Sequence, residues 1–118
     1  MRCASAGDRG GVTAEIAVAL PSLALVLGLA LAAVQAAAAH VACVDSARIG
    51  ARALARGDSE SEVLTLIART APESAETRLS RGDGMARVTV TTRIPIGPSF
   101  TAPVVVGGEA ATPVEPGT

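Results

Sequence analysis

No charged residue occurs between Glu15 and Asp45, and within that gap the 24 residues from Ile16 to Ala39 are almost wholly apolar. This stretch, IAVALPSLALVLGLALAAVQAAAA, constrains the fold more than any other part of the chain. A helix needs about 20 mostly apolar residues to cross the hydrocarbon core of a bilayer, so the run is long enough to span with some tilt. Its large side chains, Ile16, Val18, Leu20, Leu23, Leu25, Val26, Leu27, Leu29, Leu31 and Val34, drive insertion. At roughly −0.3 to −0.6 kcal/mol each they supply on the order of −3 to −6 kcal/mol. The alternative is a buried core helix. It would require the remaining residues, rich in Arg, Glu, Gly and Pro, to cover the run on every side. Membrane insertion is therefore the expectation, and 118 residues leave room for one small domain besides.

A net charge of −1 implies neither nucleic acid nor an acidic surface as a partner. The chain has one Phe and no Trp or Tyr, which excludes a stacking platform for bases and an aromatic belt at the membrane interface. Few large side chains remain outside the apolar run. The domain that follows should be small and should lean on the helix or on neighbours. Cys3 and Cys43 flank the run. In a spanning chain they lie on opposite sides of the membrane and cannot pair with each other. Cys43 reads as a small apolar residue, with an intermolecular disulfide as the alternative.

Residues 1–10, MRCASAGDRG, are short and polar and carry Arg2 and Arg9, like the basic front of a targeting segment. Gly10-Gly11-Val12-Thr13-Ala14-Glu15 follows, directly before the apolar run. A glycine closing a basic leader, an acid five residues on and an uninterrupted hydrophobic helix together resemble the type IV pilin processing site. The resemblance is closest to the TadE-like minor pilins of the tight-adherence (Tad, or Flp) system. That pattern continues here through Ile16-Ala17-Val18-Ala19-Leu20, Pro21, the Leu-rich stretch Leu23–Leu31 and the Ala/Arg-rich stretch Val44–Gly57. The resemblance implies cleavage by a prepilin peptidase after Gly10, which makes Gly11 the first mature residue and Glu15 the fifth. Cleavage after Gly11 would make Glu15 the fourth and fits less well. Major Flp pilins usually carry Tyr after the acid, where this chain has Ile16, and they are shorter. Both departures point to a minor pilin or pseudopilin.

In that family Glu15 would neutralise the new amino terminus of a neighbouring subunit during packing. Read without the family, it is the last solvated residue before the bilayer, where a carboxylate costs less than at the centre. Pro21 removes a backbone hydrogen bond, so a bend is expected there. Gly28 and the alanines at 30, 32, 33 and 36–39 either allow close helix approach or are Ala-rich filler. Arginines at both ends, Arg2 and Arg9 against Arg48, Arg52 and Arg56, leave orientation undecided by charge. A cytoplasmic N-terminus and an extracytoplasmic C-terminal domain, in the cell membrane or in an extracellular pilus, are what the resemblance implies.

Beyond His40 the helix should continue to Arg56. Val41, Val44, Ala47, Ala51 and Leu54 form an apolar stripe, and Arg48, Arg52 and Arg56 form a second stripe. The arginines make a solvated face or a contact with headgroups or another subunit, and Asp45 is placed to pair with Arg48. Gly57 ends the helix. Ser59 and Glu62 have capping-box spacing ahead of a short helix from Glu60 to Thr70, which Pro72 stops. Alternating residues 75–80 and 86–94 flank Arg81-Gly82-Asp83-Gly84 and predict a β-hairpin closed by Pro95 and Pro98. Arg81-Gly82-Asp83 also spells an adhesion tripeptide, which turn chemistry alone accounts for. Pro103–Val106 offers a short edge strand, and 112–118 reads as disordered.

The expected class is a membrane α+β chain with a long, pilin-like transmembrane helix followed by a short helix and a small β-hairpin domain. It divides into a leader (1–10), the transmembrane helix with its extension (11–57), a small α/β domain (58–96) and a Gly/Pro-rich tail (97–118). No nucleophile–base set, phosphate-cradling loop or metal-ligand spacing is present in the sequence. The chain therefore reads as a non-enzyme without catalytic residues, cofactor, metal or small-molecule substrate. Its site residues are Gly10 and Gly11 for processing and Glu15 and Pro21 for assembly. Expected partners are other Tad pilins, a prepilin peptidase and membrane lipids. Two other readings compete. One is a secreted binding module behind a signal peptide, since Val34-Gln35-Ala36-Ala37-Ala38-Ala39 before His40 suits signal peptidase. The other is an uncleaved single-pass anchor.

Overall fold

The computed structural model describes residues 2–95 and 102–116, with side chains from Gly10 onward. A long helix α1 (Arg2–Ala55) is followed by a short helix α2 (Glu60–Thr70) and strands β1 (Glu76–Gly82), β2 (Met85–Ile94) and β3 (Val104–Pro113). Helix α1 starts earlier than the sequence suggests, taking in residues 2–10 of the expected leader. That segment contains no proline, and extending an existing helix costs far less than nucleating one. The chain divides into two compact units, Met1–Val34 and Gln35–Thr118.

The first unit is helix throughout its described length and stays helical across Pro21. Ser22 Oγ donates to the Val18 carbonyl at 2.8 Å, one turn back. The large apolar side chains from Val12 to Val34 point in all directions and are all exposed. Among the described residues this is the one helix long and apolar enough to cross a membrane.

The second unit packs α2 and the C-terminal part of α1 against one face of a three-stranded antiparallel sheet of order β1-β2-β3. Its core holds Leu54, Val63, Ile67, Val88 and Val90 among small residues: Cys43, Ala47, Ala51, Ala53, Ala55 and Ala86. Ser46 is also fully buried, and its hydroxyl donates to the Cys43 carbonyl at 3.0 Å. The face of α1 that packs is thus rotated from the expected stripe. Ala47, Ala51 and Leu54 are inside as anticipated, but Val41 is exposed and Val44 only half-buried. Close approach decides this. A Cβ on Gly50 would lie 2.5 Å from Ile67 Cδ1, and one on Gly108 would lie 2.6 Å from both Cα and N of Val44. Strand β3 meets the backbone of α1 at Gly108, and the Ile67 and Val88 side chains press onto α1 at Gly50, which only a small-residue face permits.

Helix α2 has the expected bounds. Ser59 Oγ accepts from the Glu62 N–H while the Glu62 carboxylate accepts from the Ser59 N–H, a complete capping box. Ala71, directly before Pro72, is extended (φ −70°, ψ 154°), as the proline ring requires of its predecessor. Beyond Ala55, Gly57 (φ 93°) terminates helix α1, and the Gly57 and Asp58 N–H groups donate to the Leu54 and Ala53 carbonyls. This is a Schellman closure of the helix end. The guanidinium of Arg81 adds bonds to the Leu54 carbonyl (3.2 Å) and the Asp58 carbonyl (3.0 Å).

The β1–β2 hairpin turns through Asp83 (φ 54°) and Gly84 (φ 73°), both left-handed, as a two-residue type I′ turn demands. The expected hairpin is, however, part of a larger sheet. Strand β3 runs to Pro113 and pairs along the whole of β2, from Met85↔Pro113 to Ile94↔Val104. Thr112 and Pro113, assigned to a disordered end by sequence, are therefore strand. After them the Val114 N–H donates to the Gly84 carbonyl and the Glu115 N–H to the Ala55 carbonyl. The anticipated closing role of Pro98 and the remainder of the end, residues 117–118, lie outside the described residues.

Gly108→Ala is expected to lower the stability of the second unit by about 1–3 kcal/mol, because the new methyl meets helix backbone, which cannot turn aside as a side-chain end can. A fall in the midpoint of chemical denaturation, followed by circular dichroism, checks this. An unchanged midpoint would mean that strand and helix are not in backbone contact.

Candidate functional site

The residues singled out for processing and assembly all lie on α1 in the first unit. Gly10 and Gly11 are exposed, and nothing comes within 4 Å of where a Cβ would stand on either. Each glycine weakens a helix interior by about 1 kcal/mol relative to alanine, so the adjacent pair makes a local soft point of about 2 kcal/mol. Helix opening therefore costs less at these two positions than it would at alanines. At about 100° per residue, Gly11 and Glu15 share one side of the helix, one turn apart. Gly10 lies about 140° from Glu15, and Pro21 about 120° from it in the same sense and about 9 Å further along. The helix therefore brings Gly11 and Glu15 together and leaves Gly10 and Pro21 apart from them.

Glu15 is exposed and is the last charged residue before the apolar run. The run from Ile16 to Ala39 is about 36 Å long as a helix, against about 30 Å for a bilayer's hydrocarbon core. If the run spans a bilayer, a carboxylate at this position sits at the edge of the core, where it keeps water or a cation within reach.

The remaining candidates belong to the second unit. Arg48, Arg52 and Arg56 are exposed. Among the described residues Arg56 pairs with Asp58 at 3.3 Å, whereas the expected Asp45–Arg48 pair is not formed. Cys43 is free and fully buried, and burial pushes its thiol up from the ordinary cysteine range, so it stays protonated. It fills space in the core, as a small apolar residue does. The adhesion tripeptide is not presented as one motif. Asp83 occupies the turn, while Arg81 is engaged with the carbonyls of Leu54 and Asp58. Nothing in the sequence marks Arg81 for that role, because its partners lie 27 and 23 residues away.

No protein-family model matches the chain, and no solved structure matches it. A curated protein does. The chain is 37% identical over 105 residues to the apoptosis inhibitor Rv3655c of Mycobacterium tuberculosis, a match covering 88% of this chain and 79% of the relative. The chain belongs to the family of that protein. A match of this length takes in both the apolar helix and the β1–β2 hairpin wherever it begins.

Proposed function

We propose that this chain is a membrane-inserted structural subunit, a minor pilin or pseudopilin of the TadE-like kind, trimmed after Gly10 by a prepilin peptidase. The observation that carries this reading is an apolar helix exposed on all sides directly behind the Gly10-Gly11 soft point and Glu15. In this reading α1 crosses the cell membrane once, with the N-terminus cytoplasmic and the second unit outside. Other pilin subunits pack against the helix. Glu15 meets the free amino group of a neighbour, and the subunit performs no catalysis. Determining the mature N-terminus of protein recovered from membrane and medium tests the proposal. A chain beginning at Gly11, with the leader retained in Gly10→Leu, is the expected result. A chain keeping residues 1–10 beside an active prepilin peptidase would leave a plain anchor and remove the special role of Glu15.

A second reading has an observation of its own. Among the described residues every fully buried one lies at or beyond Cys43, so cleavage before His40 would leave the whole core of the second unit in the product. A mature chain starting near His40, found in the medium, would favour a secreted binding module. The relative is named for inhibition of apoptosis. An assay of cell death with the released unit would test whether that property extends to this chain.

A further inference from the structure

We propose that the first residues of strand β3, Val104 and Val105, rest on the lipid surface, so that the second unit is seated on the bilayer. The inference rests on the reading that Ile16–Ala39 spans the membrane.

The contacts within the second unit fix how strand and helix run past each other. At one end the Glu115 N–H bonds the Ala55 carbonyl, and at the other Gly108 lies against the backbone of Val44. Between them Gly50 faces Val88, whose partner in β3 is Ala110. Going back along β3 therefore goes back along α1. The seven residues from Gly108 to Glu115, five of them in β3, keep pace with the eleven helix residues from Val44 to Ala55, as a strand inclined to the helix axis does. On that ratio the four strand residues from Gly108 to Val104 correspond to about six helix residues, which brings Val104 level with about Ala38. That is the last turn of the apolar run. A bilayer that covers α1 as far as Ala39 reaches the start of β3.

The surface found at that level suits a lipid interface. Val104 is 43% exposed and Val105 61% exposed, on a strand whose outer edge has no pairing strand among the described residues. Ala102 and Pro103 before them are exposed and uncharged. Arg93 pairs with Val105 across the sheet, is exposed and points to the same face. An arginine beside apolar side chains can bury its stem with them and hold its guanidinium at phosphate level. Seating also covers the valine end of an edge strand that in water would invite pairing with another strand.

The test places an environment-sensitive NBD label on Val105→Cys in the full chain carrying Cys3→Ser, reconstituted in phosphatidylcholine–phosphatidylglycerol vesicles with doxyl-labelled lipids. Cys43 is fully buried, so the Cys3→Ser parent should take no label. Labels at Leu27→Cys and Arg52→Cys serve as the deep and aqueous references. Emission from position 105 should be blue-shifted and quenched by doxyl groups near the headgroup, while that from position 52 remains water-like and unquenched. A water-like signal at 105 beside a deeply quenched one at 27 would overturn the seating and leave the spanning helix standing. An unquenched label at 27 would overturn both.

Discussion

Leu54→Ala should destabilise the second unit by about 2–5 kcal/mol, the range found when a fully buried leucine is cut back and its cavity cannot collapse. Leu54 is 2% exposed and, with its isomer Ile67, is one of the two largest fully buried side chains. The rest of the core is mostly Ala, Ser and Cys, with Val63, Ile67, Val88 and Val90 as the other large members. The small residues that make up most of the remaining core have no spare length with which to fill the hole. Whole domains are stable by only about 5–15 kcal/mol, and small ones sit at the low end, so the loss is a large fraction of the total. The chain contains no Trp or Tyr, so intrinsic fluorescence cannot follow the change. Cys43 provides the probe. Its thiol is buried and held protonated, so in a Cys3→Ser background its alkylation reports opening of the core. Pulsed maleimide labelling should be slow in the parent and faster in Leu54→Ala by the factor that the lost stability implies, at least tenfold for about 1.4 kcal/mol. Equal labelling rates would mean that Leu54 is not in a packed core.

The same core shows where sequence reasoning carries and where it stops. Local chemistry was legible: the Ser59/Glu62 capping box, the stop at Pro72 and the Asp83-Gly84 turn each act through neighbours within a few residues. Alternation in β2 was legible because Val88 and Val90 are large and face inward. Of strand β3 only the start was legible, in Pro103–Val106; the rest was not, because Gly107-Gly108-Glu109-Ala110-Ala111-Thr112 has the composition of a loose tail. Its glycine exists for contact with Val44, a residue 64 positions away in sequence. The packed face of α1 was misplaced for the same reason. In a sequence, large apolar residues are the signal of burial, whereas Cys43, Ser46 and Gly50 are inside because they are small. At the candidate site the spacing of Gly10, Gly11, Glu15 and Pro21 was legible as a pattern. Sequence could not give the angular separation that places Gly11, and not Gly10, on the side of Glu15. That separation follows only once the helix is known to continue through both glycines.

Leu27→Arg separates a helix that lives in lipid from one that lives in water. Leu27 stands at the middle of the apolar run and is 58% exposed. In water, an arginine at an exposed helix position changes stability by no more than about 0.5 kcal/mol, since its propensity matches that of leucine. In a bilayer the same change replaces a contribution of about −0.5 kcal/mol by one of about +2.5 to +3.5 kcal/mol at the helix centre. The whole run supplies only on the order of −3 to −6 kcal/mol, so one substitution removes half or more of the drive for insertion. Leu25 and Leu29, two residues away on either side, provide no polar neighbour to share the charge, and the nearest charged side chains are Glu15 and Asp45. Snorkelling from the centre would require the side chain to cover about 15 Å, half the hydrocarbon thickness. The expected result is a marked shift from the carbonate-resistant membrane fraction to the soluble or degraded fraction. Leu27→Ala should remain inserted, because alanine costs little at the same site. If Leu27→Arg partitions like the parent and unfolds at the same midpoint, the helix faces water. The pilin-like reading and the seating of β3 on the bilayer would then fall together.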